Sequence, residues 1–334
     1  MKVAVISSGS WGTALAVALC KNNHQVHLWS RSPEYTNQIQ AKRENFRYLP
    51  GYTLPENLIL SSDLDASIRD AQLIIVATPT QFIRGTFEQL KALNCKVPVV
   101  NVSKGIEIGS LKRVSEVASE VLGKDHDYAI LAGPSHAEEL IQDMPTAVVA
   151  ASTSDSLAKL VQDAFMNQSF RIYTSHDVIG VELGGALKNI FAIAAGAIDG
   201  LKLGDNTKAA LMTRGNVEMA RLGSQLGGNE ETFSGLSGIG DLIVTCTSQH
   251  SRNRRVGEML GKGNTMQQIK DELGHSVAEG VTTAQSAFQL AQKHGIETPI
   301  IEQCYRVLYH DLPPGEAIAY LMTRDAKQER SHNA

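Results

Sequence analysis

A lysine lies in the middle of an apolar segment of small residues, 178–201 (VIGVELGGALKNIFAIAAGAIDGL). On a helix, residues three and four positions apart share a face, so Lys188 is expected beside Gly184 and Gly185. Burial would lower the pKa of the lysine toward values that suit proton transfer. We therefore predict that Lys188 transfers protons, beside a crevice that the glycines leave open for a small ligand. The alternative is a lysine whose chain snorkels from a helix packed closely through its glycines.

Asp241 is the candidate partner of this lysine. It follows the glycine-rich stretch 237–240 (SGIG), in a half of the chain that otherwise predicts helices. A carboxylate between such turns can pair with a catalytic lysine or accept a hydroxyl group of a substrate. Its alternative role is to cap the helix that begins at Leu242.

A cluster of cations and hydrogen-bond donors follows at 247–255 (TSQHSRNRR). If Ser251 caps a helix, its side chain and the first backbone N–H groups converge with Arg252 and Asn253 on one phosphate group. We predict a phosphate site here. In the alternative, the basic run is a solvated helix face, to which Arg254 and Arg255 are assigned.

A candidate dinucleotide-binding turn stands near the start of the chain, at 6–14 (ISSGSWGTA). Gly9 would let the backbone approach a pyrophosphate, and Gly12 would let the following helix pack closely on the strand. Ser7 occupies the first glycine position, where it is expected to strain the turn or shift the cofactor. The alternative is a tight strand-to-helix turn that binds nothing.

Three more strand ends carry polar groups. Arg31 follows the second predicted strand, at the position where an NAD-preferring protein usually presents an acid. Arginine suits a 2′-phosphate, so NADP(H) is the preferred cofactor and NAD(H) is a possible one. In later loops, Lys104 is expected to hold or polarise an anionic substrate, and Ser135 to donate a hydrogen bond while it caps a helix. Surface exposure alone would explain Lys104, and capping alone would explain Ser135.

These residues need a scaffold, and the pattern along the chain predicts an α/β protein. Short β-branched runs alternate with amphipathic stretches, which predicts a Rossmann-like, mostly parallel sheet covered by helices on both faces. After about residue 172 only helical patterns remain. We therefore predict a dinucleotide-binding domain at 1–175 and an all-α substrate and catalytic domain at 176–334. The predicted strands lie at 3–6, 26–29, 73–77, 97–102, 128–131 and 147–150.

Composition argues against several classes of protein. The length of 334 residues fits two domains. The net charge of −4, from 31 Lys+Arg against 35 Asp+Glu, gives no basic field for nucleic acid or anionic membrane. The 4 cysteines form no CxxC pair, so neither a zinc site nor a disulfide framework is indicated. Because the N-terminus lacks the pattern of a secretory signal, we expect a cytoplasmic protein. Taken together, these features predict a protein that binds a small molecule, without nucleic acid, membrane insertion or metal.

Several motifs occur in one order along the chain: GSWGTALA, VSKG, AGPSHAEE, PTAV, VELGGALKNIFAIAAG, TRG, GLSGIGDLIVTCTS, SRNRR and VAEG. In this combination the sequence resembles the bacterial NAD(P)-dependent glycerol-3-phosphate dehydrogenases over essentially its whole length. Serine at position 7 departs from the glycine of the family pattern, which puts cofactor affinity in question more than activity.

The resemblance implies hydride transfer between NADPH or NADH and dihydroxyacetone phosphate, giving sn-glycerol 3-phosphate for glycerophospholipid synthesis. The resemblance is also compatible with a homodimer. Lys188 is implied as the proton-transferring residue. The implied substrate contacts are Lys104, Gly133, Ser135, Lys188, Asp241, Ser251, Arg252 and Asn253, and the implied cofactor contacts are Ser10, Trp11, Arg31, Lys104, Ala137, Arg252, Val277 and Glu279.

Two other functions stay open at this point. Another two-domain reductase, such as a 3-hydroxyacid dehydrogenase, would also use a lysine in an all-helical second domain. A non-catalytic NADP-sensing protein would have the fold without turnover. Equal turnover of dihydroxyacetone and its phosphate ester would favour the first, and absence of NADPH oxidation would favour the second.

Overall fold

The computed structural model describes residues 1–274, 278–326 and 328–329. Within these residues, the main sheet has the strand order β10-β9-β8-β7-β6-β1-β2-β5, and β3 and β4 form a separate antiparallel pair. In chain order the strands are β1 (Lys2–Ile6), β2 (Gln25–Trp29), β3 (Glu44–Asn45), β4 (Leu49–Thr53), β5 (Leu58–Ser61), β6 (Leu73–Val76), β7 (Val99–Asn101), β8 (Tyr128–Ala132), β9 (Thr146–Ala151) and β10 (Phe170–Ser175).

Successive residues of the central strands alternate between two hydrophobic cores, because side chains of a strand point to opposite faces. Val3 and Val5 belong to one core, and Ala4 and Ile6 belong to the other. Both faces are therefore covered by helices, as predicted. The helices of this half are α1 (Ser10–Lys21), α2 (Pro33–Lys42), α3 (Leu64–Ile68), α4 (Ile83–Ala92), α5 (Val114–Leu122), α6 (Ala137–Leu140) and α7 (Asp155–Phe165).

The second half is helical in the described residues, and a long buried helix, α8 (Val178–Gly200), lies at its centre. By length and composition α8 could cross a membrane, yet 89% of its most apolar 18-residue window is buried inside the protein. It is a core helix. The other helices are α9 (Gly204–Gln225), α10 (Asp241–Thr247), α11 (Arg252–Gly261), α12 (Met266–Leu273), α13 (Glu279–His294), α14 (Pro299–Tyr309) and α15 (Pro314–Met322).

The predicted α/β class, with a mostly parallel sheet and a helical second half, is confirmed. Each predicted strand has a counterpart, but the pattern missed β5 and β10, the two edge strands of the main sheet, and the separate pair of β3 and β4. The pairing of β8 with β9 is antiparallel, whereas the other pairings of the main sheet are parallel. β10 ends at Ser175 and α8 begins at Val178. The division into domains at 175/176 stays a prediction.

The glycines of α8 mainly serve close helix packing, so the predicted open crevice along them is wrong. An added Cβ at Gly184 would lie 2.5 Å from the Ser237 carbonyl oxygen, and one at Gly196 would lie 1.8 Å from that of Arg254. Backbone therefore fills the space that side chains would have taken. Gly185 differs, because its added Cβ would make ordinary contact, at 3.5 Å, with the side chain of Lys104.

Candidate active site

Lys188 and Asp241 form a buried ion pair between α8 and α10. Their exposed fractions are 6% and 0%. The Lys188 Nζ donates to Asp241 Oδ1 at 2.5 Å and to Thr245 Oγ1 at 2.6 Å. Asp241 is the first residue of α10, and Thr245 lies one turn later on the same face. The predicted pairing of the lysine with this carboxylate is confirmed, and the snorkelling alternative is wrong because the ammonium group is buried.

A second lysine holds the other oxygen of the same carboxylate. Lys104 follows β7, and its Nζ donates to Asp241 Oδ2 at 2.8 Å. The same ammonium group also donates to the Gly133 carbonyl oxygen at 2.9 Å and to Ser135 Oγ at 3.2 Å. The loops after β7 and β8 are therefore tied to the helical half at one carboxylate. Lys104 is no surface lysine, because only 12% of its side chain is exposed.

Burial lowers the pKa of Lys188 to about 8, which is the largest effect on this group. The Asp241 carboxylate opposes that shift by favouring the ammonium form, and the charge of Lys104 adds to it. The shift has the predicted direction, and the two charged neighbours act on it in opposite senses. A lysine with this pKa exchanges protons near neutral pH, as a general acid or base must.

The loop after β8 needs glycine at position 133. Gly133 has φ +148, and an added Cβ would lie 2.9 Å from the Val148 Cα. Ser135 does not cap α6, contrary to the sequence-based expectation, because His136 occupies the N-cap position. The Ser135 hydroxyl instead donates to the Gly133 carbonyl oxygen at 2.7 Å while it accepts from Lys104.

The turn between β1 and α1 combines a residue with positive φ, a closely packed glycine and an open glycine. Ser7 has φ +90, a conformation that favours glycine, so the predicted strain is present. An added Cβ at Gly12 would lie 2.2 Å from the Ser7 carbonyl oxygen, which confirms the close packing predicted there. Nothing lies within 4 Å of an added Cβ at Gly9, so its backbone is open to a ligand. The indole N–H of Trp11 is buried without a partner among the described residues.

Other residues brace this turn or flank it. The Asn45 side chain donates to the Ser8 carbonyl oxygen at 2.8 Å and to Thr13 Oγ1 at 2.7 Å. Ser10 Oγ donates to the Tyr48 carbonyl oxygen at 2.6 Å. Arg31, after β2, is exposed and free to reach a ligand on that side. The open glycine backbone, the unpartnered indole and this arginine together fit a dinucleotide with a 2′-phosphate.

The start of α11 has the predicted cap. Ser251 is the N-cap residue, and its Oγ accepts from the Arg254 N–H at 3.2 Å. Arg252 is exposed. Asn253 is less available than expected, because it donates to Asn189 Oδ1 at 2.8 Å and accepts from the Gly280 N–H at 2.9 Å. The assignment of Arg254 to a solvated face is wrong, since its guanidinium pairs with Asp199 at 2.7 Å; Arg255 is exposed.

Glu279 joins the two halves of the chain. Its Oε1 accepts from the Thr80 N–H at 2.9 Å and from Thr80 Oγ1 at 2.8 Å, and its Oε2 accepts from the Lys104 N–H at 3.3 Å. Ala137 is buried at the start of α6. Val277, expected among the cofactor contacts, lies outside the described residues.

Two protein-family descriptions match nearly the whole chain. "NAD-dependent glycerol-3-phosphate dehydrogenase N-terminus" matches residues 2–158, and "NAD-dependent glycerol-3-phosphate dehydrogenase C-terminus" matches residues 177–319. The chain belongs to the NAD-dependent glycerol-3-phosphate dehydrogenase family. Similar members include glycerol-3-phosphate dehydrogenase [NAD(P)+] of Lysinibacillus sphaericus, 51% identical over 98% of each chain, and that of Moorella thermoacetica, 50% identical over 98% of this chain and 97% of its own.

Solved structures of the family have the same fold. Glycerol-3-phosphate dehydrogenase from Coxiella burnetii is 41% identical and superposes with a TM-score of 0.93 over 97% of this chain and 99% of its own. The yeast enzyme is 28% identical, with a TM-score of 0.82 over 96% and 98%. D-mandelate dehydrogenase, at 13% identity and a TM-score of 0.61, shares the fold alone.

Sequence reasoning missed some residues of this family member's site. Thr245 is four residues after Asp241, so the helical repeat would have placed it on the same face as the carboxylate. Asn189 follows Lys188 directly and donates to the Lys104 carbonyl oxygen at 3.2 Å. No pattern in the sequence signals Thr80, because its role depends on a carboxylate from the other half of the chain.

Proposed function

We propose that this protein interconverts dihydroxyacetone phosphate and sn-glycerol 3-phosphate, with NADP(H) as preferred cofactor and NAD(H) as a second one. The reaction is that of its family. The observation that carries the proposal is the buried Lys188–Asp241 pair at the carboxyl edge of the sheet, with Lys104 on the same carboxylate. Ligands of open α/β sheets bind at this edge, so the proton donor lies where the substrate must be.

Lys188 is the general acid and base. During reduction of the ketone, a charge develops on the carbonyl oxygen, and the ammonium group of Lys188 protonates it. In the oxidation of the alcohol, the neutral amine takes the proton from the hydroxyl group. Asp241 and Thr245 accept two of the three ammonium hydrogens, which leaves one to point toward the substrate.

The phosphate group of the substrate is bound at the start of α11. The first N–H groups of that helix, the Ser251 cap and Arg252 supply donors and positive charge. Asn253 contributes through its remaining amide hydrogen, because the other one is taken by Asn189. Binding energy from the phosphate positions the carbonyl group against Lys188. Lys104, Gly133 and Ser135 line the opposite side.

The cofactor lies along the turn after β1, and when bound its nicotinamide supplies the hydride to the carbonyl carbon. Gly9 and Gly12 let it approach the backbone, and Arg31 contacts the 2′-phosphate. The further cofactor contacts in the proposal are Ser10, Trp11, Lys104, Ala137, Arg252, Val277 and Glu279.

We also assign the protein to the supply of glycerol 3-phosphate for glycerophospholipids in the cytoplasm. A homodimeric assembly stays a prediction.

Absorbance at 340 nm tests the proposal, because oxidation of NADPH removes that absorbance. We expect NADPH oxidation with dihydroxyacetone phosphate and far less with dihydroxyacetone. Lys188→Ala should reduce kcat by at least about 100-fold and leave NADPH binding within about twofold. Lys208→Ala, which removes a lysine paired with Asp199 outside this cluster, is the matched control and should retain activity. Equal turnover of both ketones would refute the assignment of the phosphate site.

A further inference from the structure

His136 is a half-buried ring next to the lysine cluster. It occupies the N-cap position of α6, but its side chain makes no capping hydrogen bond. Its Nε2 is shielded from solvent and has no hydrogen-bond partner among the described residues. A shielded ring nitrogen without a partner costs free energy, so its place in the fold needs another reason.

The surroundings of this ring favour a bound anion. The pKa of His136 is lowered to about 4, mainly by burial; the charges of Lys188, Lys104 and His250 act in the same direction, and Asp241 acts in the opposite one. The imidazole is therefore neutral at neutral pH, and one ring nitrogen carries a hydrogen. Two lysines, Lys104 and Lys188, share the single carboxylate of Asp241, so the space beside His136 is short of negative charge.

The His136 ring also lies between two segments that carry proposed substrate contacts, the loop after β8 and the start of α11. His136 directly follows Ser135, which contacts Lys104. Its ring centroid lies 5.7 Å from that of His250, which directly precedes the cap residue Ser251. The His250 ring is exposed, and its backbone N–H is held by Ser248 Oγ at 3.1 Å. The two rings thus connect the loop after β8 with the start of α11.

We propose that His136 binds substrate, its Nε2–H donating a hydrogen bond to the phosphate ester, with the His250 ring packed beside it. The inference rests on the proposed function and adds a residue to its phosphate site. A neutral donor in this position recognises a phosphate dianion without adding another positive charge beside Lys188. A neutral His136 matters for Lys188, because a further cation would lower the pKa of Lys188 and make its amine a weaker base.

The test compares His136→Phe with His136→Gln. Phenylalanine keeps a ring against His250 but removes the donor, whereas glutamine keeps an N–H donor at a similar reach. We expect His136→Phe to raise KM for dihydroxyacetone phosphate by about 10- to 100-fold. Its kcat/KM for dihydroxyacetone and its Kd for NADPH should stay within about twofold of the unaltered enzyme, and His136→Gln should restore most of the loss.

His126→Phe is the matched control. His126 also has a shielded Nε2 without a partner in the described residues, but it precedes β8 at the end of the strand away from Lys188. This variant should behave as the unaltered enzyme. An unchanged KM in His136→Phe, an equal loss with both ketones, or no rescue by glutamine would overturn the inference. Lack of NADPH oxidation by the unaltered enzyme would instead overturn the proposed function.

Discussion

The sheet half and the helical half place their functional groups in different ways. Lys104 and Gly133 lie in the loops that follow β7 and β8, so neighbouring parallel strands bring them to one edge. Lys188, Asp241 and Ser251 lie on or before three different helices, and only close helix packing brings them together. In the sheet half, hydrogen bonding between strands fixes the geometry. In the helical half, glycines at the contacts between helices fix it.

The difference predicts where substitutions act. A change in a loop at the sheet edge should have a smaller effect on stability and should act mainly on ligand binding, because loops tolerate change. A change at a helix contact or in the buried ion pair should alter both stability and turnover. Four substitutions test this contrast.

Asp241→Asn should have the largest effect. It leaves two lysines facing each other without a carboxylate, so the pKa of Lys188 should fall further and the general acid should be lost near neutral pH. We expect kcat for reduction at pH 7.5 to fall by about 100-fold. The loss of a buried partner should also cost about 3 kcal/mol of unfolding free energy, measured with denaturant.

Asp199→Asn is the control for this change. Asp199 also pairs with two cations, Lys208 and Arg254, but it lies away from Lys188. It should lose stability and keep its rate. If both variants kept their rates, Asp241 would have no part in proton transfer.

Gly257→Ala tests the packing of α11 on α8. The added Cβ would lie 1.7 Å from the Ile193 carbonyl oxygen, so the helices must separate. We expect a loss of about 2 to 3 kcal/mol in unfolding free energy and a raised KM for dihydroxyacetone phosphate, because the phosphate site moves away from Lys188. Gly85→Ala, in α4 with nothing within 4 Å of its added Cβ, should be neutral or stabilising.

Arg31→Asp tests a loop of the sheet half. The ratio of kcat/KM for NADPH to that for NADH should fall by at least about tenfold, because a carboxylate repels the 2′-phosphate and accepts from a 2′-hydroxyl. The melting temperature should barely change. Arg171→Asp reverses an exposed charge on β10, at the far edge of the sheet, and should leave the ratio as it was. An unchanged ratio in Arg31→Asp would remove this arginine from the cofactor site.

Ser7→Gly should have the smallest effect of the four substitutions, and it should raise the unfolding free energy rather than lower it. Glycine relieves the strain at φ +90, so we expect a gain of about 1 kcal/mol in unfolding free energy. Ser8→Gly, at a neighbouring buried position without positive φ, should destabilise the protein instead. A loss of stability in Ser7→Gly would mean that the serine side chain stabilises the turn.

The sequence predicts the sheet half better than the helical half, because the order of strands follows from local patterns and the contacts between helices do not. Continuous β-branched runs identify buried central strands, whereas the edge strands β5 and β10 are partly exposed and lack such runs. Helix starts are predictable in part: Ser251 is the cap that the sequence indicates, whereas His136 replaces Ser135 at the start of α6. The sequence does not predict the contact of Gly184 with the Ser237 backbone, because distant parts of the chain decide whether a glycine faces a cavity or another helix.

The pH dependence of both reaction directions tests the central claim, that Lys188 is the proton donor and acceptor. Its pKa of about 8 means that the ammonium form dominates below pH 8 and the neutral amine above it. We predict that kcat/KM for dihydroxyacetone phosphate is constant below pH 8 and falls tenfold per pH unit above it. For glycerol 3-phosphate oxidation, kcat/KM should rise with pH and become constant above about 8. Profiles that are flat from pH 7 to 9, or that change in the same sense in both directions, would contradict the account.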